Sequence, residues 1–396
     1  MKKRNRVFFV AVCLVSLLPL AAVVYAADEE GSNLTPPQPR PLGDEMHPVS
    51  ERFNVEGYGE HLFARDRGAV GTFEEQHGIL LDLGYQLSER LSIGTRLEAA
   101  FASVESEGIA AVDELWLEVA MVDELNLRVG RAPVPVSWHN LDFQPLGYVG
   151  VSQPYVETYI VPNNWTVDGA GVFGNLGAGL SYQAIVGKGL QSECFCPSNG
   201  FGGDDLEQNA DFTNPAVMGR LDLEFDVLPD AIGNSGVGVF GYMGETQTPT
   251  EVEGVETNTV ISMVSMEART GYRSFKLHGF YAMGSIEDAF MFDGVAKQFV
   301  GYSLQGSVNV YPDRWRKGWF EDADLNLFMR YEVYDTQHEM PEGVEPDTRY
   351  DRDAWSTGFS FLPIRHLAFK AEYQLIQNQS FVSTADQVVV GIGWGF

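Results

Sequence analysis

The chain has 396 residues, of which 44% are hydrophobic, 12% are aromatic and 20% are charged. Its 55 acidic residues outnumber the 26 lysines and arginines, which gives a net charge of −29. This composition excludes a disordered, collagen-like or disulfide-framework protein. The negative field also argues against nucleic acid as a partner, because binding phosphate requires clustered lysine and arginine.

Residues 1–26 have the order of a secretory signal peptide. A basic Met1–Arg6 precedes an apolar Val7–Val24, and Val24-Tyr25-Ala26 places small residues at the −3 and −1 positions of a cleavage site. Cleavage after Ala26 would remove four basic residues and take the net charge from −29 to −33. An uncleaved membrane anchor is the alternative, which the proline within the apolar stretch disfavours. No later apolar run reaches the length of a transmembrane helix.

Residues 27–52 follow as a proline-rich segment without any hydrophobic period. Its prolines are Pro36, Pro37, Pro39, Pro41 and Pro48. We expect an extended leader on the periplasmic side. A docking tail for peptidoglycan or a partner protein is the functional alternative, and no residue of the segment favours it.

From residue 53 to residue 396 the hydrophobic period is two. In the last ten residues Val388, Val390 and Ile392 alternate with small or polar residues, and charged residues alternate with apolar ones in most other segments. Strands that each have one wholly apolar face are typical of a transmembrane barrel, whose sheet must close because a bilayer leaves open edges unsatisfied. The pattern predicts an all-β fold, a transmembrane antiparallel β-barrel of sixteen strands: 53–64, 72–86, 91–103, 111–121, 125–131, 165–173, 176–186, 215–226, 236–243, 257–270, 274–283, 296–310, 324–333, 349–361, 367–376 and 387–396.

The predicted connections alternate between short and long. Short ones, such as 87–90 and 174–175, would be periplasmic turns, and long ones would be extracellular loops. The third extracellular loop, 132–164, is the longest and is rich in aromatic residues. We predict that it folds into the lumen and narrows it, because a sixteen-stranded barrel is wide enough to need internal filling. A plug or a lid packed on the rim is the alternative.

These predictions define the candidate functional residues. The candidates for the pore constriction are Trp138, Asp142, Tyr155, Glu157 and Tyr159. The candidates for the charged lumen wall are Arg96, Glu98, Arg128, Arg220, Lys276, Arg330 and Lys370. Rings of fixed charge and the pore diameter would set selectivity. Each lumen arginine has the alternative role of a structural partner for a neighbouring carboxylate. Aromatic residues near strand ends, among them Tyr242, Tyr272, Trp315 and Trp319, are candidates for interfacial girdles.

Other chemistry finds little support in the sequence. None of the seven histidines has metal-ligand spacing or lies in a serine-nucleophile motif, so we expect no enzyme, no cofactor and no metal site. A hydrolase would need a serine beside His278 or His366. Cys194 and Cys196 are too close for an unstrained disulfide, which leaves free thiols or half of a metal site as alternatives.

The signal segment, the amphipathic strands and the terminal Trp394-Gly395-Phe396 resemble a Gram-negative outer-membrane porin. The resemblance implies that Phe396, Trp394 and Ile392 are read by the barrel-assembly machinery, and that the protein is a homotrimer in outer-membrane lipid. Val129–Pro135 and Val167–Gly174 are similar to the phosphate-selective porin family, which lines its pore with arginine and lysine. Because this chain has neither residue between Arg131 and Lys188, the similarity implies the fold without anion selectivity.

The sequence therefore predicts a passive outer-membrane channel for small hydrophilic solutes or ions, with a lumen that favours cations. The alternative function is an occluded barrel that docks or houses a partner protein.

Overall fold

The computed structural model describes residues 52–66, 73–102, 109–142, 144–162, 164–192, 195–201, 214–225, 235–247, 258–380 and 386–396. The predicted signal peptide and nearly all of the predicted leader lie outside these residues. The described chain forms sixteen strands: β1 Phe53–Asp66, β2 Phe73–Ser88, β3 Leu91–Ala102, β4 Ile109–Val122, β5 Leu125–Pro133, β6 Thr166–Gly177, β7 Leu180–Lys188, β8 Pro215–Phe225, β9 Ser235–Gln247, β10 Asn258–Tyr272, β11 Phe275–Ile286, β12 Gln298–Asn309, β13 Asp324–Glu339, β14 Asp351–Ile364, β15 Leu367–Asn378 and β16 Gln387–Gly395.

The strands form one closed antiparallel barrel in which each pairs with its neighbours in sequence and β16 pairs with β1. The closing register places His61 opposite Ile392. Large apolar side chains on alternate positions are exposed on the outer wall, as at Leu115, Val217 and Met243, which are 58%, 59% and 63% exposed. A sheet that presents such residues outward and has no free edge suits a bilayer. The predicted all-β barrel of sixteen strands is confirmed.

Three details differ from the predicted elements. The predicted turn at residues 174–175 is wrong: β6 continues to Gly177, and the turn uses Gly177, Ala178 and Gly179, all with positive φ. Strand β13 extends to Glu339, beyond its predicted end at residue 333. The β3–β4 register shifts at Arg96/Leu97, so the strict alternation expected along β4 breaks there.

The chain between β5 and β6 folds inside the barrel, as predicted. We call residues 134–165 the inserted loop; it contains two short helices, α1 (Trp138–Leu141) and α2 (Tyr155–Tyr159). Its Val156, Ile160 and Trp165 are at most 2% exposed, and they belong to an apolar cluster with lumen-facing residues of β8–β13. These wall residues include Met218, Phe240, Tyr242, Ile261, Met263, Phe280, Ala282, Phe299 and Tyr334. The prediction that Tyr242 belongs to an interfacial girdle is therefore wrong, because this residue lies in the internal cluster.

A second connection adds to the same cluster. Residues 189–201 bring Leu190, Phe195 and Phe201 into it. Phe201 meets Phe299 of β12 edge-on, with ring centroids 4.3 Å apart. The hydroxyl of Thr336 in β13 donates to the carbonyl oxygen of Pro197 at 2.7 Å. Both connections thus fill the side of the lumen that β8–β13 line.

The middle of the inserted loop crosses to the opposite wall. The inward face of β16 consists of Gln387, Val389 and the glycines 391, 393 and 395, and a Cβ atom placed on Gly393 would lie 3.3 Å from Pro145. Small residues on this strand therefore leave room for the loop. Within the described residues, no helix is long and apolar enough to span a membrane.

Candidate functional site

Lys370 of β15 holds the middle of the inserted loop against the wall. Its buried ammonium donates to the carbonyl oxygens of Pro145, Tyr148 and Gly150 at 2.7, 2.5 and 3.0 Å. It also lies 4.4 Å from the centre of the Tyr148 ring. A buried ammonium must find acceptors for its protons, and here the loop backbone supplies them. The predicted wall residue Lys370 therefore acts as an anchor for the loop.

Arg330 of β13 lies beside this anchor and is 2% exposed. Its guanidinium pairs with Glu332 at 2.8 Å and with Glu372 at 3.0 Å. The other carboxylate oxygen of Glu372 accepts from the backbone amides of Val151 and Ser152 at 2.8 and 3.1 Å. The buried charges are thus neutralised by one another and their remaining lone pairs are used by the loop.

A matching network holds the first part of the loop on β8 and β10. Arg220 pairs with Asp222 at 2.7 Å and with Glu267 at 2.5 Å. The amide of Trp138 donates to Glu267 at 2.7 Å, and its indole N–H donates to Asp222 at 3.0 Å. Arg269 lies 4.2 Å over the indole. The predicted constriction residue Trp138 is therefore fixed from both sides.

Glu157 forms an internal pair within the loop. It is 5% exposed, accepts from the Ser137 hydroxyl at 2.6 Å and lies 2.8 Å from Nδ1 of His139. Burial favours the neutral acid, but the charge and hydrogen bond of His139 outweigh burial and lower the pKa of Glu157 to about 2. Burial likewise opposes the imidazolium, and the charge of Glu157 outweighs it and raises the pKa of His139. The constriction candidate Glu157 is therefore not a free carboxylate, because the site that encloses it already supplies its counter-charge.

The aromatic constriction candidates lie in a stack rather than on an open surface. The rings of Tyr155 and Tyr159 both stack on Tyr334 of β13, with centroids 5.4 and 5.2 Å apart. The Tyr155 hydroxyl donates to Gln374. Arg352 of β14 lies 5.1 Å over the Tyr159 ring. Of the five predicted constriction residues, Asp142 is the exposed one, and it accepts a hydrogen bond from Gln144 at 2.5 Å.

The wall formed by β1–β4 has a different character, because carboxylates predominate on its lumen face. Arg96 pairs with Asp82 at 2.7 Å and with Glu114 at 3.2 Å. Glu98 lies two residues from Arg96 on the same face of β3. It is within electrostatic range of Glu60 and Asp113. Among the described residues, neither Glu60, Glu98 nor Asp113 forms a salt bridge, and Oδ1 of Asp113 has no hydrogen-bond partner.

Sequence reasoning missed Glu60 and Asp113. The β3–β4 register shift turns both Asp113 and Glu114 inward, between the exposed Val112 and Leu115. Strict alternation would have placed Asp113 on the lipid side. Glu60 lies in a regular part of β1, so the alternation of that strand alone would have placed it on the inward face.

The remaining wall candidates lie on the lumen face. Arg128 pairs with Glu118 at 3.0 Å, and its guanidinium lies between the rings of Trp116 and Phe173 at 5.0 and 4.9 Å. Lys276 is exposed near the short-turn end of β11, on the face shared with His278 and Phe280. The wall candidates thus divide into three buried loop anchors, Arg220, Arg330 and Lys370, and four residues outside those anchors, Arg96, Glu98, Arg128 and Lys276.

The terminal aromatic residues lie on the outer wall, where they close the barrel. Phe396 is 70% exposed, and Gly57 and Gly59 leave room for the rings of Phe396 and Trp394. The amide of Phe396 donates to the Gly57 carbonyl at 2.9 Å. Cys196 is a free thiol, and Cys194 lies outside the described residues. The described part of the chain contains no group of three or more metal-ligating side chains.

Known proteins share this architecture. The chain covers 100% of OmpF of Salmonella typhi, solved in complex with daunomycin, over 89% of its own length, with a TM-score of 0.60 and 14% identity. For OprB of Pseudomonas putida the TM-score is 0.56 at 12% identity, over 88% of this chain and 95% of that one. For a loop-deletion mutant of OmpT of Vibrio cholerae it is 0.53 at 12% identity, over 87% of this chain and 99% of that one.

Sequence comparison reaches less far. An uncharacterised protein of Aquifex aeolicus is 24% identical in an alignment of 357 positions that covers 84% of this chain and 78% of that protein. No family model matches the chain. At these identities the solved structures establish the porin-type barrel fold, and the site must be interpreted from its own residues.

Proposed function

We propose that this protein is an outer-membrane channel for the passive diffusion of small hydrophilic solutes, and that its lumen favours cations. The fold supports the channel, because a closed barrel with an apolar outer wall and a charged inner wall is suited to span a bilayer around water. The proposal includes export, residence in outer-membrane lipid after assembly by the barrel-assembly machinery, and no catalysed reaction.

One observation supports the preference for cations. Five carboxylates lie on the β1–β4 wall, Glu60, Asp82, Glu98, Asp113 and Glu114, and Arg96 pairs with two of them. Lys370 and Arg131 lie within electrostatic range of Glu60 and Asp113, but neither cation forms a salt bridge with them in the described structure. The inserted loop fills the side of the lumen that β8–β13 line, and the buried charges of the wall beneath the loop are already paired. Fixed negative charge along the remaining wall would attract cations and repel anions. An anion channel like those of the phosphate-selective family is not favoured by this wall.

Reversal potentials in a salt gradient test the proposal directly. We expect ohmic conductance in planar bilayers, with K⁺ more permeant than Cl⁻. The triple variant Glu60→Gln/Glu98→Gln/Asp113→Asn should lower this preference, because it removes the unpaired carboxylates. The matched control is Glu342→Gln/Glu345→Gln/Asp293→Asn, which neutralises exposed residues of two long extracellular connections. Absence of conductance would contradict the channel, and a preference unchanged by the triple variant would contradict the assigned wall.

The occluded barrel remains the second candidate, because two connections pack an apolar cluster into one side of the lumen. This candidate predicts no conductance until the inserted loop is released, for example in Lys370→Met, and capture of a partner by crosslinking.

The resemblance to porins also makes a homotrimer part of the proposal. Native mass spectrometry of the detergent-solubilised protein would count the subunits.

A further inference from the structure

The connection between β12 and β13, residues 310–323, is much longer than its neighbours on the same rim. The adjacent connections are tight turns, at residues 273–274 and 365–366, whereas this one contains two 3₁₀ turns, Asp313–Trp315 and Gly318–Phe320. In transmembrane barrels the side with short turns is the periplasmic side. A connection of this length is therefore unusual on the periplasmic side.

The first part of the connection packs against the outer wall. Tyr311 stacks on Phe361 of β14, with ring centroids 6.2 Å apart. Phe361 is on the same outward face as Phe359, which is 40% exposed. Trp315 then packs edge-on against Tyr311 at 6.0 Å. The segment is thus held on the face that contacts lipid.

The aromatic side chains beyond Tyr311 project away from the protein. Trp319 is 85% exposed, Trp315 is 56% exposed and Phe320 is 44% exposed. Tryptophan combines a large apolar ring with a polar N–H, and it therefore partitions to the headgroup region of a membrane. On a surface that faces water alone, the same exposed aromatic side chains would gain no such favourable contact.

Some of the cations beside these rings are paired with carboxylates and others are not. Arg316 pairs with Asp324 at 2.9 Å, and Arg365 pairs with Asp322 at 3.0 Å. Arg314 and Lys317, which are both exposed, form no salt bridge within the described residues, and neither does Arg273 in the adjacent turn. Residues 310–323 contain three basic residues, Arg314, Arg316 and Lys317, and three acidic ones, Asp313, Glu321 and Asp322. Asp313 and Asp322 pair with Arg316 and Arg365. Within the described residues this leaves two unpaired cations against one unpaired carboxylate, that of Glu321, and hence a small positive excess beside the two exposed tryptophans.

We propose that residues 310–323 bind the headgroup of an anionic phospholipid in the periplasmic leaflet. Trp315 and Trp319 lie at headgroup depth, and Arg314 and Lys317 contact the phosphate. Basic residues next to tryptophan are the combination that binds anionic membrane surfaces. This inference depends on the outer-membrane placement proposed above, but not on conductance.

Native mass spectrometry of the full-length barrel, with phosphatidylglycerol or phosphatidylcholine added, tests the site. We expect selective retention of phosphatidylglycerol. In Arg314→Gln/Lys317→Gln this retention should fall about five-fold for each cation removed, since one basic residue near an anionic surface contributes about 1 kcal/mol. The control is Lys297→Gln/Arg349→Gln, which removes two extracellular cations that are paired with Glu339 and Asp347. Equal losses in both variants, or equal retention of inorganic phosphate, would overturn the proposal.

A second measurement does not depend on lipid retention. The protein is placed in phosphatidylglycerol vesicles whose acyl chains carry bromine either near the headgroup or at the chain ends. The fluorescence of Trp319, identified as the signal that Trp319→Phe removes, should be quenched by bromine near the headgroup and not by bromine at the chain ends. Loss of that selectivity for headgroup depth would overturn the site. Both variants change exposed side chains, so heat-modifiable mobility on gels should show a folded barrel. A folded barrel that retains phosphatidylglycerol but does not conduct would contradict the channel proposal alone.

Discussion

The ammonium of Lys370 donates to the carbonyl oxygen of Pro145 at 2.7 Å across 225 residues of sequence. Two further carbonyl oxygens of the same loop complete its hydrogen bonds. A single side chain of β15 thereby fixes the middle of the inserted loop.

Lys370→Met should therefore release that part of the loop. The substitution leaves three buried carbonyl oxygens and the nearby carboxylate of Glu372 without the ammonium, so we expect a loss of about 3 kcal/mol in the free energy of unfolding. Single-channel currents should become larger and noisier, because the loop no longer has one position. Lys297→Met, at an exposed extracellular ion pair, is the control and should change neither quantity. Currents identical to those of the parent protein would show that the loop is held by other contacts.

The Arg220 network gives a second prediction. Arg220→Met leaves Glu267 and Asp222 buried with no guanidinium, which should cost about 3–5 kcal/mol. Arg220→Lys keeps the charge but loses the planar fork that reaches both carboxylates, so its loss should be smaller. Denaturant titration of the barrel, followed by tryptophan fluorescence, would rank the two variants. A larger loss for the lysine variant would mean that shape, and not charge, dominates at this site.

The pair of His139 and Glu157 makes the position of the loop sensitive to pH. The pKa of Glu157 is lowered to about 2, so its stabilisation is present above its ordinary pKa and is lost as the pH falls toward 2. The pKa of His139 is raised, so its stabilisation is present below about pH 6.5 and is lost as the pH rises through the folded value. Glu267 and His278 of the wall and Arg330 also face this pair.

We therefore expect the loop to be held most firmly in weakly acidic solution and to loosen as the solution becomes alkaline. Current noise recorded from pH 5 to pH 9 should rise at the alkaline end. His139→Gln cannot titrate, and its noise should not vary with pH over this range. A rise that persists in His139→Gln would assign the effect to another group.

The glycines of β16 yield a fourth prediction. In Gly393→Val the new side chain would meet Pro145 and Leu146 of the inserted loop, because a Cβ atom there lies 3.3 Å from the Cβ atom of Pro145. We expect the loop to shift and the single-channel conductance to change, with a modest loss of stability. At Gly241 a Cβ atom would meet no atom within 4 Å, so Gly241→Val is the control and should leave the conductance unchanged.

Sequence periodicity predicted the barrel well because each strand obeys one local rule, apolar residues toward lipid and others inward. The rule failed where local chemistry overrides alternation, at the Gly177–Gly179 turn and at the register shift beside Asp113. It also could not show which inward charges are buried. Arg330 and Arg96 occupy similar positions in their strands, yet only Arg330 is covered by the inserted loop, through contacts with residues almost two hundred positions away.

In the proposed channel, the apolar cluster beneath β8–β13 would also affect the route that an ion takes. Because this cluster fills one side of the cylinder, water would be confined to the other side, and the path would run eccentrically along β1–β4. An ion on such a path remains close to one wall throughout its passage. A few carboxylates on that wall then act at short range, where a ring of charges around a central axis would act from a distance.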